Sequence, residues 1–546
     1  STSRVGLITN RGFRDILEIR RHSRTDTYNM GLEIAPPLVP RDLRVEIDAR
    51  LAPDGTVLKP IDRQQVAAVV RALMLAKVEV YTVCLLHAYA RPQEEHAVAE
   101  IIRLEDPGAY VTCSVDVCPE FREYERTSTA VVNSAVMPLV DAYLDKLESR
   151  LKANGYRRHL YIMQSSGGMM TASEIRRQPV NIIESGPAAG VVASHAIGQV
   201  LGRENLISFD MGGTTAKAAL IHEGRIDMST EYEVGGNSHG AQGTVGYGTG
   251  YPVRGSFMDI VEVGAGGGSI AWIDEAGGLR VGPQSAGADP GPVCYGRGGQ
   301  EPTVTDANVV LGYMNAEAIA ASSLAIDRQA AWDIIQQKIA RPLNLDVLPA
   351  AYGIMQVANA TMMRALRAVS TERGRDPREF TLMAFGGAGP IHAAELAESL
   401  RMTQVQIPLY PGLFSALGLL LADYRHDYLR SVVLALDQID PQAILKEYEV
   451  LESNARAELA LEGIAADRIR FERQIDLKYG YQVAEMTMPF PKVSPDELRT
   501  RLTELFTQAH RQAFGYGRDD SIELVSLRLR ALASAGQLSF SDLVGQ

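Results

Sequence analysis

Residues 205–225, NLISFDMGGTTAKAALIHEGR, decide the fold. Leu206–Phe209 and Ala218–Ile221 are short apolar runs of strand composition, joined by Asp210-Met211-Gly212-Gly213-Thr214-Thr215. A tight glycine turn between strands bares backbone N–H groups, which together form a concavity suited to phosphate. The hydroxyls of Thr214 and Thr215 add donors and Lys217 adds charge. An Asp at a strand end can hold a hydrated Mg2+ that neutralises phosphate oxygens. The alternative is a plain hairpin whose glycines serve only the turn. The phosphate reading is preferred because Asp, two Gly and two Thr sit together where each has a task.

Further along, residues 380–400 (FTLMAFGGAGPIHAAELAESL) run a strand into Gly386-Gly387-Ala388-Gly389, with Pro390 where the first helical residue belongs. A glycine loop that opens a helix offers N–H groups and a positive dipole end to an anion or nucleotide. Its spacing is not GxGxxG, so alone it is weak, and His392 reads as structural rather than catalytic. Residues 159–171 (HLYIMQSSGGMMT) form a third strand–glycine unit, Ser165-Ser166-Gly167-Gly168. Glu184-Ser185-Gly186-Pro187-Ala188-Ala189-Gly190 follows and opens a small-residue helix whose glycines serve packing as readily as a ligand. Gly264-Ala265-Gly266-Gly267-Gly268-Ser269 comes after the strand-like Phe257–Val263, which carries Asp259 and Glu262. Those carboxylates read equally as a metal or base pair and as a solvated edge. Asp423 and His426 have the i, i+3 spacing of a helical metal pair, although an ion pair is simpler. GxxxxGK[ST] and HExxH are absent, which removes the P-loop and zincin readings.

The chain has 546 residues, 46% hydrophobic and 22% charged, a globular composition with material for several domains. Lys+Arg 54 against Asp+Glu 66 leaves a net charge of -12, the wrong sign for a non-specific nucleic-acid binder. The longest apolar run, Leu413–Ala422, is broken by Ser415 and Gly418 and is too short for a bilayer. Residues 1–24 carry charges where a signal peptide needs an apolar core, so a cytoplasmic location without membrane contact is expected. Cys84, Cys113, Cys118 and Cys294 are too few for a disulfide scaffold. Cys113 and Cys118 resemble half a metal site, with no second pair or His cluster in the sequence to complete it. Gln64–Ala76 has helical spacing and Val78–Leu86 strand composition, a rhythm of α/β layers. Helices are also expected over Thr127–Leu151, ending near Asn154-Gly155, and over Ala351–Thr371. About twenty of the 49 glycines lie between Gly235 and Gly299, which implies turns and close backbone approaches. Beyond Asp437, helices over Pro441–Leu461 and Ser494–Phe514 alternate with strand-like pieces and read as a separate α+β module.

The strings MQSSGGMM, ESGPAAGVVASHA, FDMGGTTAKAALI, DIVEVGAGGGSIAWID, PTVTDANVVLG and FGGAGPIHAAELAE resemble the hydantoinase A / oxoprolinase family, which includes acetone and acetophenone carboxylase subunits. The resemblance runs from Arg4 to about residue 430. It implies an α/β, actin-like, sugar-kinase-like (ASKHA) two-lobed ATPase fold with a C-terminal α+β module. Residues 1–110 would be the remainder of the N-terminal domain, 111–430 the ATPase-like core and 431–546 the C-terminal domain.

The implied activity is ATP-dependent phosphorylation of a carbonyl oxygen in a cyclic amide, for hydrolysis by a hydantoinase B-type partner in a hetero-oligomer. The alternatives are a ketone carboxylase subunit, or a non-catalytic scaffold with a degenerate site. Carried onto this chain, the resemblance assigns Gly212, Gly213, Thr214, Thr215, Gly266, Gly267, Gly268, Gly386, Gly387 and Gly389 to ATP, with Asp210 catalytic and a Mg2+ holder through water. The residues themselves add Lys217 as a charge for the phosphates and Asp259 as a second metal residue. Family members usually open with another hairpin, DVGGTFTD, and end in a β-rich extension; this sequence has one DxGGT, at Asp210. The expectation is therefore a fragment, a site completed by another polypeptide, or a subunit that has lost turnover.

Overall fold

The computed structural model describes residues 3–21, 28, 30–31, 34–235, 240–241, 248–315 and 325–535. At its centre the two apolar runs form a hairpin, with Leu206–Met211 antiparallel to Ala216–His222 and Asp210 opposite Lys217. The hairpin sits in the middle of a nine-stranded sheet. On one side lie Thr381–Phe385 and then Val405–Gln406, both parallel; on the other, Ile260–Val263 leads an antiparallel set out to Tyr251–Met258. Leu206–Phe209 is buried on both faces, which is why it reads as a continuous apolar run. Helix Val347–Val369 covers one face, its Ile354, Met362 and Leu366 packed on Phe209 and Leu220 in the largest core. Helix Ser185–Val200 covers the other. That helix also meets helix Phe414–Leu421 so closely that a Cβ on Gly418 would lie 1.7 Å from the Ala189 carbonyl oxygen. The packing explains the small residues of both segments.

Ahead of this lies a four-stranded parallel sheet in the order Arg44–Ile47, Val5–Asn10, Val80–Cys84, Tyr110–Cys113. Helices Arg63–Leu75, Gln93–Glu105 and Glu123–Ala153 accompany it around a core of its own. Asp62 caps the first helix by accepting from the amides of Gln64 and Gln65, and Asn154 with Gly155 closes the third.

The third sheet has six strands, in the order Met486–Pro489, Ile469–Tyr479, Ile522–Ala533, Tyr424–Ala435, Met169–Thr171, Tyr161–Met163. Helix Pro441–Leu461 starts on the Asp440 cap, and helix Pro495–Phe514 on a Ser494–Glu497 capping box with Gly515 at its end. Both pack on the sheet through Tyr448, Leu459, Leu502 and Phe506. The C-terminal segment is thus α+β, yet its sheet also takes in two strands from residues 161–171, joined at Tyr424 and Met169. Asp423 and His426 do not share a helix: Tyr424, His426 and Tyr428 alternate along a strand. His426 pairs instead with Glu462, Nε2 to Oε1 3.1 Å.

Candidate nucleotide site

The hairpin turn Gly212–Thr215 is closed by one bond, from the Gly212 amide to the Thr215 carbonyl. Gly213 and Thr214 are exposed, and the amides of Gly213, Thr214 and Thr215 have no backbone acceptor among the described residues. A Cβ on Gly212 or Gly213 would meet nothing within 4 Å. Donors facing open space are what an anion needs. Beside the turn, Phe385 pairs with Asp210 across the parallel strands, and the chain turns at Gly386 with φ +82°. A Cβ there would lie 2.3 Å from Asp210 Oδ1, so only glycine lets the loop pass the carboxylate. Helix Gly389–Ser399 then begins with Pro390 in its first turn and no side-chain cap. Its orphan N–H groups and dipole add to the anion field.

Asp210 is half-buried, and that burial holds its carboxyl above the usual range; the Lys217 ammonium opposes that rise. Lys217 is itself clasped between Glu184 Oε2 at 3.6 Å and Glu262 Oε2 at 3.5 Å. Burial also raises Glu184, again against Lys217. Lys217, expected to face phosphate, is therefore engaged by two carboxylates and acts on Asp210 through its field. In the sequence the ESGPAAG string reads as packing and hides Glu184 as a site residue; the signal for it is a carboxylate preceding an otherwise uncharged helix.

Two more expectations are corrected. Asp259 receives both guanidinium nitrogens of Arg373, Nη2 to Oδ1 being 2.9 Å, and lies at the start of the strand whose far end approaches the turn. Its carboxylate is engaged by Arg373 and lies at the end of that strand away from Asp210. Gly266, Gly267 and Gly268 come up to the turn, but their amides donate to Ser269 Oγ, the Gly212 carbonyl and the Gly213 carbonyl. A Cβ on Gly266 would lie 2.5 Å from the Thr214 carbonyl carbon. These glycines brace the hairpin from behind instead of presenting donors to a nucleotide, and Thr305 fastens them by donating its amide and hydroxyl to the Gly267 carbonyl. Gly387 is exposed with open space beside it, whereas Gly389 is buried against Met211.

His392 lies fully buried, Nδ1 2.7 Å from Asn359 Oδ1 and Nε2 3.2 Å from Asn308 Nδ2. Burial lowers it to about 4, so it is a neutral strut, as its sequence context suggested. The Ser165–Gly168 turn takes no part in the anion site. It borders a separate cavity of about 2380 Å3 lined also by Arg254, Arg425, Asp427 and Phe490. Among the described residues no helix is long and apolar enough to cross a membrane.

Comparison with known proteins matches residues 126–428 to the hydantoinase/oxoprolinase family and residues 1–105 to the hydantoinase/oxoprolinase N-terminal region. The chain is 35% identical to the caprolactamase subunit alpha of Pseudomonas jessenii, over 97% of this chain and 75% of that one. It is 32% identical to the acetophenone carboxylase gamma subunit of Aromatoleum aromaticum, over 94% and 71%. The crystal structure of the ATP-dependent caprolactamase from Pseudomonas jessenii superimposes with a TM-score of 0.83 at 34% identity, over 99% of this chain and 77% of that one.

Proposed function

The chain belongs to the hydantoinase/oxoprolinase family, and we propose that it is the ATP-dependent carbonyl-activating subunit of a cyclic-amide hydrolase of that type. The observation that carries the reading is the Asp210 turn, where a half-buried carboxylate stands beside unpaired amides and an uncapped helix start. ATP supplies the phosphoryl group that converts an unreactive amide oxygen into a leaving group. The amides of Gly213, Thr214 and Thr215, the two Thr hydroxyls and the first turn of helix Gly389–Ser399 are the groups that would bind its phosphate oxygens. Asp210 would hold Mg2+ through water. Lys217 opposes the upward push of burial on that carboxylate, while Glu184 and Glu262 hold the ammonium in place. Positioning and charge neutralisation are the main contributions a protein makes to phosphoryl transfer.

Relatives named as subunits support a hetero-oligomer, and a hydantoinase B-type partner is the one we propose, completing hydrolysis in the cytoplasm. The test is calorimetry with Mg-ATP on the chain alone and with a co-purifying partner, followed by ADP release with a lactam. Binding in either form supports the reading, and its absence from both overturns it. A second reading, a ketone carboxylase subunit, is favoured by the acetophenone carboxylase relative; ADP release that requires a ketone and bicarbonate, and ignores lactams, would select it.

A further inference from the structure

In the sequence Cys113 and Cys118 look like half a metal site with nothing to complete it. The fold gives Cys113 other neighbours. It ends the edge strand Tyr110–Cys113, Asp116 follows on the turn Ser114–Val117, and His96 sits in the first turn of helix Gln93–Glu105. One ligand atom from each of the three lies within 4.8 Å of the other two, and His96 Nε2 is 2.8 Å from Asp116 Oδ1. We infer that His96, Cys113 and Asp116 form a site for one thiophilic divalent cation of the Zn2+ class, its fourth position open to the cavity that Cys113 and Asp116 line.

The donor set is the first argument. Thiolate, imidazole and carboxylate from three elements are typical ligands of Zn2+ and its close relatives and a poor set for Mg2+ or Ca2+, which take oxygen. Thiolate and carboxylate together match the two positive charges, so the loaded site is neutral. The second argument is reach. Bonds of about 2.0–2.3 Å in a tetrahedron place ligand atoms roughly 3.3–3.8 Å apart. Closing the present separation takes a movement of about 1 Å, which the exposed His96 and Asp116 side chains can make around the buried Cys113. The third is support from behind. Glu95, wholly buried, accepts from the Leu85 amide, the Ser114 hydroxyl and the Val115 amide, and so locks the backbone next to His96 to the backbone next to Cys113. Gln178 Nε2 donates to the Asp116 carbonyl. On loading, the cation takes the place of the contact between His96 Nε2 and Asp116, the neutral imidazole carrying its one proton on Nδ1, and the Cys113 thiol proton leaves to solvent as the metal–sulfur bond forms. The site is separate from the Asp210 turn and does not depend on the nucleotide reading.

The full chain, stripped with a chelator and titrated with Co2+, tests this. One equivalent should bind with a near-ultraviolet thiolate-to-cobalt absorption and intense visible bands of tetrahedral Co2+. Cys113→Ser should abolish the near-ultraviolet band, and Cys118→Ser should keep it. His96→Gln and Asp116→Asn alter exposed positions and leave the fold intact, and each should weaken Co2+ binding at least tenfold. No thiolate band in the unmodified chain, a band that survives Cys113→Ser in folded protein, or undiminished affinity in both surface variants would overturn the site.

Discussion

Two glycine turns of nearly the same composition have opposite surroundings. At Gly212 and Gly213 an added Cβ meets nothing within 4 Å; at Gly167 it would lie 2.0 Å from Met258 Cε, and at Gly168 2.1 Å from Arg425 Cβ. The first turn leaves amides open. In the second, the Ser165 amide and hydroxyl both reach the Asn181 carbonyl, and the Ser166 carbonyl accepts from Arg425. Glycine thus serves two purposes, keeping space free for a ligand in one turn and letting the chain pass side chains in the other. Ion pairs stand at both, Arg425, Asp427, Arg530 and Glu472 behind the closed turn and Lys217 between Glu184 and Glu262 beside the open one. The helices behind the open turn add a mostly neutral chain, Asn308–His392–Asn359, ending at Glu395.

The sharpest test of the open turn is Asp210→Asn, nearly isosteric. Turnover with Mg-ATP should fall by on the order of 1000-fold, about 4 kcal/mol of activation energy. Because burial disfavours the Asp210 charge, removing it should leave the thermal unfolding midpoint unchanged or raise it. Normal turnover would take Asp210 out of the mechanism. The closed turn should show the reverse pattern. Gly168→Ala forces the Arg425 stem to move and should destabilise the fold by about 1–3 kcal/mol, with Mg-ATP affinity preserved in the folded fraction. A denaturation curve and calorimetry on the same sample read both quantities.

Much of this contrast lay beyond the sequence, for a physical reason. The hairpin strands, helix Pro441–Leu461 and the helix ending at Phe514 were legible because hydrophobic period and caps are local. Whether a glycine faces space or a side chain depends on residues far along the chain, as with Gly168 against Arg425 or Gly386 against Asp210. Arg373 closing on Asp259 spans 114 positions, and no pattern near Asp259 announces it. His96 meeting Cys113 and Asp116 is of the same kind. The strand through His426 was a different miss: the period-two alternation of Tyr424, His426 and Tyr428 was present, and the i, i+3 spacing with Asp423 obscured it.

Gly212→Val carries the comparison back to the open turn with a smaller effect. Its side chain would enter space that is empty of protein, so stability should change by no more than about 0.5 kcal/mol. Mg-ATP affinity should drop at least tenfold, about 1.4 kcal/mol, because the branched side chain fills the place of a phosphate oxygen. Unchanged affinity would mean that the emptiness beside Gly212 is not a ligand's.

The smallest effect separates the two supports by pH. His392 is held near 4 by burial, while an unfolded histidine titrates near 6.5, so the unfolded chain takes up a proton that the folded chain refuses. Stability from this residue is therefore complete above about pH 6.5 and is lost as pH falls toward 4. At pH 5.5 the loss should be about 1 kcal/mol relative to pH 7. Gln at position 392 can still bridge Asn308 and Asn359 but cannot take a proton, so His392→Gln should flatten this part of the stability curve. His426 runs the other way. Burial opposes its charge, but the neighbouring carboxylates of Glu462 and Glu458 outweigh that and raise it, so its contribution is full in acid and fades as pH rises through its folded value. His426→Gln should accordingly lose the acid-side benefit and leave the His392 slope intact. If both variants moved the same limb of the curve, the division between a neutral support behind the open turn and an ionic one around the C-terminal sheet would fail.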